Sequence, residues 1–204
     1  MTKNEFRVRA DTSLSVQIPS LGGATTALFL AMKQNHFELF GLAPRFEIDL
    51  AALDTAYREL QGRVHPDRFA NADDAQKRVA MQWSTRANEA YQTLKAPLAR
   101  ARYLCELGGV DAQIESNTSM PMDFLMQQLQ WREALAEART ARDEDRLLEL
   151  ERDLKGVRAG ELAQLKVLID EKSDLAAAVG HVRQLMFVER FATEVGEALD
   201  AVQP

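Results

Sequence analysis

The chain repeats apolar residues at intervals of three and four positions, which is the spacing of one face of an α-helix. The first such stripe follows Asp49, a residue suited to cap a helix, and stops before Pro66. Its residues are Leu53, Tyr57, Leu60 and Val64. We expect one helix over this segment, with Arg58 and Arg63 lying off its apolar face.

A second stripe follows Asp73 and Asp74 and continues until Pro97, which ends a helix in the same way. Its residues are Val79, Trp83, Ala87, Ala90 and Leu94. Because a short loop joins the two stripes, the pattern predicts an antiparallel hairpin that buries both. A short helix in PLARARYLCELGG, capped at Gly108, follows the hairpin, and an apolar turn in NHFELFGLAP, closed by Gly41, precedes it.

The second half of the chain shows three further helical patterns. They cover residues 121–140, 143–171 and 174–201. Ser173 and Asp174 supply cap chemistry before the last helix, and the short connections favour antiparallel neighbours. The sequence therefore predicts an all-α protein whose C-terminal part is a three-helix bundle.

A polar segment, VDAQIESNTSMP, separates the hairpin from the bundle. The predicted organisation is an N-terminal extension over residues 1–34, a helical domain over 35–107, a linker over 108–120 and the bundle over 121–204.

The N-terminal extension shows neither helical periodicity nor clean caps, so we expect it to be disordered. Lys3, Arg7 and Arg9 precede the apolar stretch Ala24–Met32, but no small-residue cleavage site follows, which argues against a signal peptide. An upstream translation start, with Met32 as an alternative first residue, is the other interpretation.

Composition narrows the class of protein. Gly (10) and Pro (6) are scarce in these 204 residues, which favours helices over a turn-rich β architecture. The single cysteine, Cys105, cannot form an internal disulfide or a CxxC metal site, and it suits a reducing cytoplasm. We read it as a small core residue. No apolar run approaches the roughly 20 residues that a membrane span needs.

The charge is unevenly distributed. The net charge is −6, and residues 108–204 carry 11 Lys and Arg against 19 Asp and Glu. Phosphates of nucleic acids and anionic lipids require a basic surface, so neither is an expected partner. Proteins are the expected partners, and we predict neither a metal site nor a cofactor. The charged run over residues 143–153 is best explained as a solvated helix face.

The loop of the predicted hairpin contains His65-Pro66-Asp67, between AYRELQGRV on one helix and NEAYQTLKAP on the other. Residues 35–107 thus resemble the J domain of the DnaJ-like co-chaperones. The resemblance implies that His65, Pro66 and Asp67 dock on the ATPase domain of a DnaK-type chaperone and stimulate ATP hydrolysis. Pro66 would stiffen the loop, and Asp67 could pair with an arginine across the interface.

The basic residues of this region depart from the J-domain pattern. The family's docking helix is rich in Lys and Arg, whereas here Glu59 and Gly62 interrupt it and the basic residues are Arg58, Arg63 and Arg68. The Gly/Phe-rich linker and the CxxCxGxG repeats of general-purpose DnaJ proteins are absent from the sequence. We therefore expect a weak affinity for the chaperone and no general binding of client proteins.

The helix opened by Pro121 carries apolar residues on two faces. Phe124, Trp131, Leu135 and Ala138 form one stripe, and Leu125, Met126 and Leu129 fall near the opposite face with Glu133 and Glu137. An apolar patch rimmed by acids is typical of a partner-binding surface. The alternative is that this second stripe packs under the hairpin domain or the linker.

The J domain is followed by an acidic helical bundle whose first helix contains FLMQQLQWREAL. In this arrangement, residues 35–200 are similar to the HscB family of bacterial iron–sulfur cluster assembly. The resemblance implies a non-enzymatic co-chaperone whose bundle binds the scaffold protein IscU and delivers it to the chaperone HscA. The implied scaffold-binding residues are Leu125, Met126, Leu129, Gln130, Glu133, Glu137 and Phe187. Gln130 stands where the family often has an acid, which should soften one electrostatic contact.

Three other functions remain open at this level. A J protein with a different client would carry the same loop. A hydrolase using His65, Asp67 and Cys105 is disfavoured, because the sequence supplies no oxyanion donors beside them. A purely structural helical protein would have no need of the loop.

Overall fold

The computed structural model describes residues 34–70, 72–110 and 120–202, and every regular element within these ranges is helical. The predicted all-α class is therefore confirmed. The predicted disordered extension lies outside the described residues except for Gln34, as does most of the predicted linker. None of the described helices combines the length and the apolar composition that spanning a bilayer would take.

The helices follow the predicted boundaries closely. They are α1 (His36–Leu39), α2 (Leu50–Val64), α3 (Asp74–Lys95), α4 (Pro97–Leu107), α5 (Met122–Ala141), α6 (Glu144–Lys166) and α7 (Leu175–Val202). A 3-10 turn, Pro66–Phe69, separates α2 from α3, and a π-helical turn, Val167–Glu171, extends α6.

Side-chain caps explain where several helices begin. The side chain of Asn35 accepts a hydrogen bond from the Glu38 amide, and the Glu38 carboxylate accepts one from the Asn35 amide, which forms a capping box. Asp73 caps α3 through the Gln76 amide, and Asp174 caps α7 through the Ala177 amide. Ser173, predicted to share this role, instead has a left-handed backbone conformation (φ 54°) where the π-helical turn ends.

The described residues form two compact units. The first comprises residues 34–43 and Ala51–Tyr91, and the second comprises Pro44–Leu50 and residues 92–202. This division differs from the predicted boundary at 108–120, because the segment Pro44–Leu50 and helix α4 belong with the C-terminal helices.

In the first unit, a ladder of side-chain hydrogen bonds fixes the register of α2 against α3. The Tyr91 hydroxyl donates to Asp54 (2.8 Å), the Tyr57 hydroxyl donates to Asn88 (2.8 Å), and the Ser84 hydroxyl donates to Gln61 (3.4 Å). Along this ladder, the residue number of the partner on α3 decreases as the residue number on α2 increases, so the two helices run antiparallel. The buried side chains of the unit are Phe37, Leu39, Phe40, Leu53, Leu60, Val64, Ala80, Trp83, Ala87 and Ala90.

Two predicted hairpin core positions differ in detail. Tyr57 is half-buried rather than fully buried, since its hydroxyl reaches Asn88 and its ring stacks on Tyr91 with the centroids 4.1 Å apart. Ala80 rather than its neighbour Val79 is fully buried on α3.

In the second unit, α5, α6 and α7 form the predicted three-helix bundle. The pairs Arg158–Glu189 (3.2 Å) and His181–Glu161 (2.7 Å) join α6 to α7 in antiparallel order. The core contains Phe124, Trp131, Ala134, Leu135, Ala138, Leu147, Leu150, Leu154, Val188, Phe191, Val195, Ala198 and Leu199. Only one face of α5 contributes to it, which leaves the opposite face free.

The segment Pro44–Leu50 is held within the second unit by both backbone and side-chain contacts. The two Asp170 carboxylate oxygens accept hydrogen bonds from the Phe46 amide (2.7 Å) and the Glu47 amide (2.9 Å). From α4, the Arg100 guanidinium donates to the Phe46 carbonyl (2.7 Å) and to the Leu94 carbonyl, and it lies 5.3 Å from the Phe46 ring centroid. The backbone of Phe46 is therefore bound on both sides.

Charges reinforce this attachment. Burial lowers the pKa of the Arg100 guanidinium, and the Asp170 carboxylate opposes that shift. The hydrogen bond between Lys166 and Glu47, 2.6 Å long, lowers the pKa of Glu47 and raises the pKa of Lys166.

We predict that Asp170→Ala lowers the free energy of unfolding by about 2–4 kcal/mol, because two backbone amides lose a charged acceptor. Asp153→Ala, on the exposed side of α6, is the control and should change stability by less than about 0.5 kcal/mol. Urea unfolding followed by circular dichroism measures both. Equal midpoints for the two variants would show that the attachment contributes nothing.

Candidate functional site

The His65-Pro66-Asp67 loop forms a tight and exposed turn after α2. His65 caps the 3-10 turn, and its Nδ1 accepts a hydrogen bond from the Asp67 amide at 3.3 Å. A neutral imidazole in this arrangement carries its proton on Nε2. The His65 side chain is 52% exposed and the Asp67 side chain 89% exposed, so both groups are available to a partner.

Arg68 braces this loop against the helix before it. Its guanidinium donates to the carbonyl of Gly62 at 2.5 Å, in the last turn of α2, where carbonyls lack a partner within the helix. The Arg68 backbone amide also donates to the His65 carbonyl at 3.0 Å. The structure thus gives Arg68 a role in holding the loop, which the sequence did not predict.

Arg58 and Arg63 are both exposed on α2. Five positions separate them, which places them about 140° apart around the helix axis. They therefore do not share one narrow basic face, and Arg63 lies nearer to the loop along the chain.

On α5, the predicted second stripe is exposed. Leu125, Met126 and Leu129 are 41%, 53% and 52% exposed, and Met122 in the first turn is 73% exposed. These four residues, at positions i, i+3, i+4 and i+7, occupy one side of the helix, and we refer to them as the apolar stripe. Met122 was not among the residues predicted from the sequence, although its spacing of three positions from Leu125 places it on the same side of the helix.

Acidic and polar residues continue the line of the stripe. Gln130 and Glu133 follow Met126 at four and seven positions, Glu137 follows Glu133 at four, and all three are exposed. The structure thus brings six of the seven predicted scaffold-binding residues to one side of α5.

Phe187, the seventh, lies on α7 and is part of the aromatic packing of the bundle. Its ring centroid is 5.9 Å from that of Phe124, 6.4 Å from that of Trp131 and 5.7 Å from that of Phe191. The side chain is partly exposed. Phe187 therefore supports the fold, and part of its side chain stays in solvent.

Two candidate sources of chemistry are a metal-binding cluster and the thiol of Cys105. Among the described residues, no group of three or more His, Cys, Asp or Glu is arranged to hold a metal ion. Cys105 is fully buried on α4, and burial raises the pKa of its thiol to about 11. Such a thiol is a poor nucleophile, which weighs against the hydrolase interpretation.

Comparisons with known proteins agree with this geometry. Residues 120–196 match the family model described as the HSCB C-terminal oligomerisation domain. A co-chaperone protein HscB homolog from Burkholderia multivorans is 52% identical over 174 residues, which cover 85% of this chain and 99% of that protein.

Solved structures show the same fold. The chaperone HscB from Vibrio cholerae has a TM-score of 0.73 at 37% identity, covering 83% of this chain and all of that one. The human co-chaperone HscB has a TM-score of 0.77 at 27% identity, covering 81% and 82%. The chain therefore belongs to the HscB family of co-chaperones.

Proposed function

We propose that this co-chaperone acts in the cytoplasm, where it stimulates ATP hydrolysis by the DnaK-type chaperone HscA and delivers the scaffold protein IscU to it during iron–sulfur cluster assembly. The main support is the apolar stripe, which α5 leaves exposed while it buries its opposite face in the bundle. The His65-Pro66-Asp67 loop supplies the chaperone contact, and the stripe supplies the scaffold contact.

The geometry of the loop favours the chaperone contact. The turn is held from within by the His65–Asp67 hydrogen bond and by Arg68, so little conformational freedom is lost when a partner binds. The exposed Asp67 carboxylate can then form a charge-assisted hydrogen bond with a cationic side chain of the chaperone. Arg58 and Arg63 add positive charge along α2.

The stripe has the composition of an interface centre. Leu and Met side chains with an acidic rim at Glu133 and Glu137 suit a partner that offers an apolar surface beside basic residues. Apolar anchors at such a centre are worth on the order of 1–3 kcal/mol each when truncated.

We predict that His65→Gln abolishes stimulation of the chaperone ATPase while helix content and scaffold binding stay unchanged, because His65 is exposed and its partners within the chain are local. Steady-state phosphate release, circular dichroism and calorimetric titration with IscU measure the three properties. Stimulation by the variant at the wild-type level would contradict the chaperone contact.

We also predict that replacing Leu125, Met126 and Leu129 together with Ala weakens IscU binding at least tenfold and leaves the melting temperature within a few degrees of wild type. The loop is intact in this variant, so basal ATPase stimulation should persist while the added effect of IscU is lost. A markedly lower melting temperature with normal IscU binding would show that the stripe is core.

Phe187→Ala serves as a contrast, since it removes a ring from the aromatic packing of the bundle. It should lower the free energy of unfolding by about 2–4 kcal/mol in addition to weakening IscU binding. Thermal melts of this variant and of the triple variant separate loss of fold from loss of contact. Equal melts would show that Phe187 is not part of the core.

A further inference from the structure

Charged residues of both signs lie beside the apolar stripe. Glu133 continues the line of the stripe and Glu137 lies at one edge of it, whereas Arg132 lies at the other edge, about 60° around the helix from Leu129. Arg139 follows Arg132 after seven positions and is also exposed. Arginines therefore line one edge of the stripe, and acidic residues lie along its line and at its other edge, within a segment that is acidic overall.

The Arg132 guanidinium is held in place by aromatic rings. Its central carbon lies 5.7 Å from the Phe187 ring centroid and 5.8 Å from the Phe191 ring centroid, both on α7. The side chain nevertheless remains 54% exposed. A cation that is already oriented loses less side-chain entropy on binding a partner than a free arginine would.

The charge of Arg132 is only partly balanced within the chain. The Glu194 carboxylate lies 3.9 Å from Arg132 and also 3.9 Å from Arg190, so two guanidinium groups share one acceptor at long range. The Arg146–Glu149 pair on α6, by contrast, is 2.8 Å long. A positive charge remains unbalanced within the trio of Arg132, Arg190 and Glu194, beside the stripe.

We propose that Arg132 binds a carboxylate of the scaffold protein and so determines how that partner is oriented on the apolar stripe. This role rests on the proposed function. The scaffold would place an acidic side chain against Arg132 and basic side chains against Glu133 and Glu137. Turning the partner around would bring like charges together, which disfavours the reversed complex.

The test compares Arg132→Gln, Arg132→Lys and the control Arg152→Gln by calorimetric titration with IscU. Arg152 is an exposed arginine on α6 that bonds within its own helix, so its variant makes the same change in net charge away from the stripe. Arg132→Gln should weaken binding about three- to tenfold at low salt and less at high salt, because the contact is electrostatic. Arg132→Lys and Arg152→Gln should stay within about threefold of wild type.

Charge reversal identifies the partner residue. Arg132→Glu should weaken binding further, and replacing one acidic residue of the scaffold by Lys should restore it. Such rescue requires direct pairing, which a purely structural role for Arg132 would not produce.

Two outcomes would overturn this role. In the first, Arg132→Gln binds like Arg152→Gln while the triple stripe variant still loses binding, which leaves the proposed function intact. In the second, Arg132→Gln and Arg132→Lys weaken binding equally and melt at lower temperature, which makes Arg132 a bundle residue. If the triple stripe variant binds IscU as tightly as wild type, the result counts against the proposed function instead.

Discussion

A helix in a three-helix bundle can bury one face against its two neighbours, and this constraint determines the surface of α5. Phe124, Trp131 and Leu135 occupy the buried face and hold the bundle together. An apolar residue on the opposite side must then either stay in solvent, which lowers the solubility of the protein, or bind a partner. The apolar stripe is the result, while on the buried face Trp131 stacks on Phe187 of α7.

A related division of roles occurs in the hairpin. Apolar residues of α2 and α3 supply burial, and the ladder from Asp54–Tyr91 to Gln61–Ser84 fixes the register between the helices. A slip by one turn would break every rung of that ladder. The register also determines where the connecting turn falls, and hence which side chains the His65-Pro66-Asp67 loop presents.

Much of the fold follows from local sequence. Proline and capping residues mark helix ends at Pro66, Asp73 and Pro97, and apolar spacing identifies the bundle. Other features depend on residues far apart in the chain. The attachment of Phe46 to Asp170 joins positions 124 apart, and the rings that orient Arg132 lie on another helix. Helical periodicity contains no information on such pairs, so the rings that orient Arg132 could be identified only in the structure. The hydrogen bond from Arg68 to Gly62 spans six residues, but it lies in the irregular turn after α2, which periodicity does not describe either.

The environment of Cys105 bears on iron–sulfur chemistry in a different way. Clusters are held by thiolates, and a thiol with a pKa of about 11 is ionised in roughly one molecule in 10⁴ at neutral pH. This is the sole cysteine of the sequence, and it is sealed inside the protein. In the proposed function, Cys105 would therefore offer no accessible thiolate to compete for a cluster bound to the scaffold.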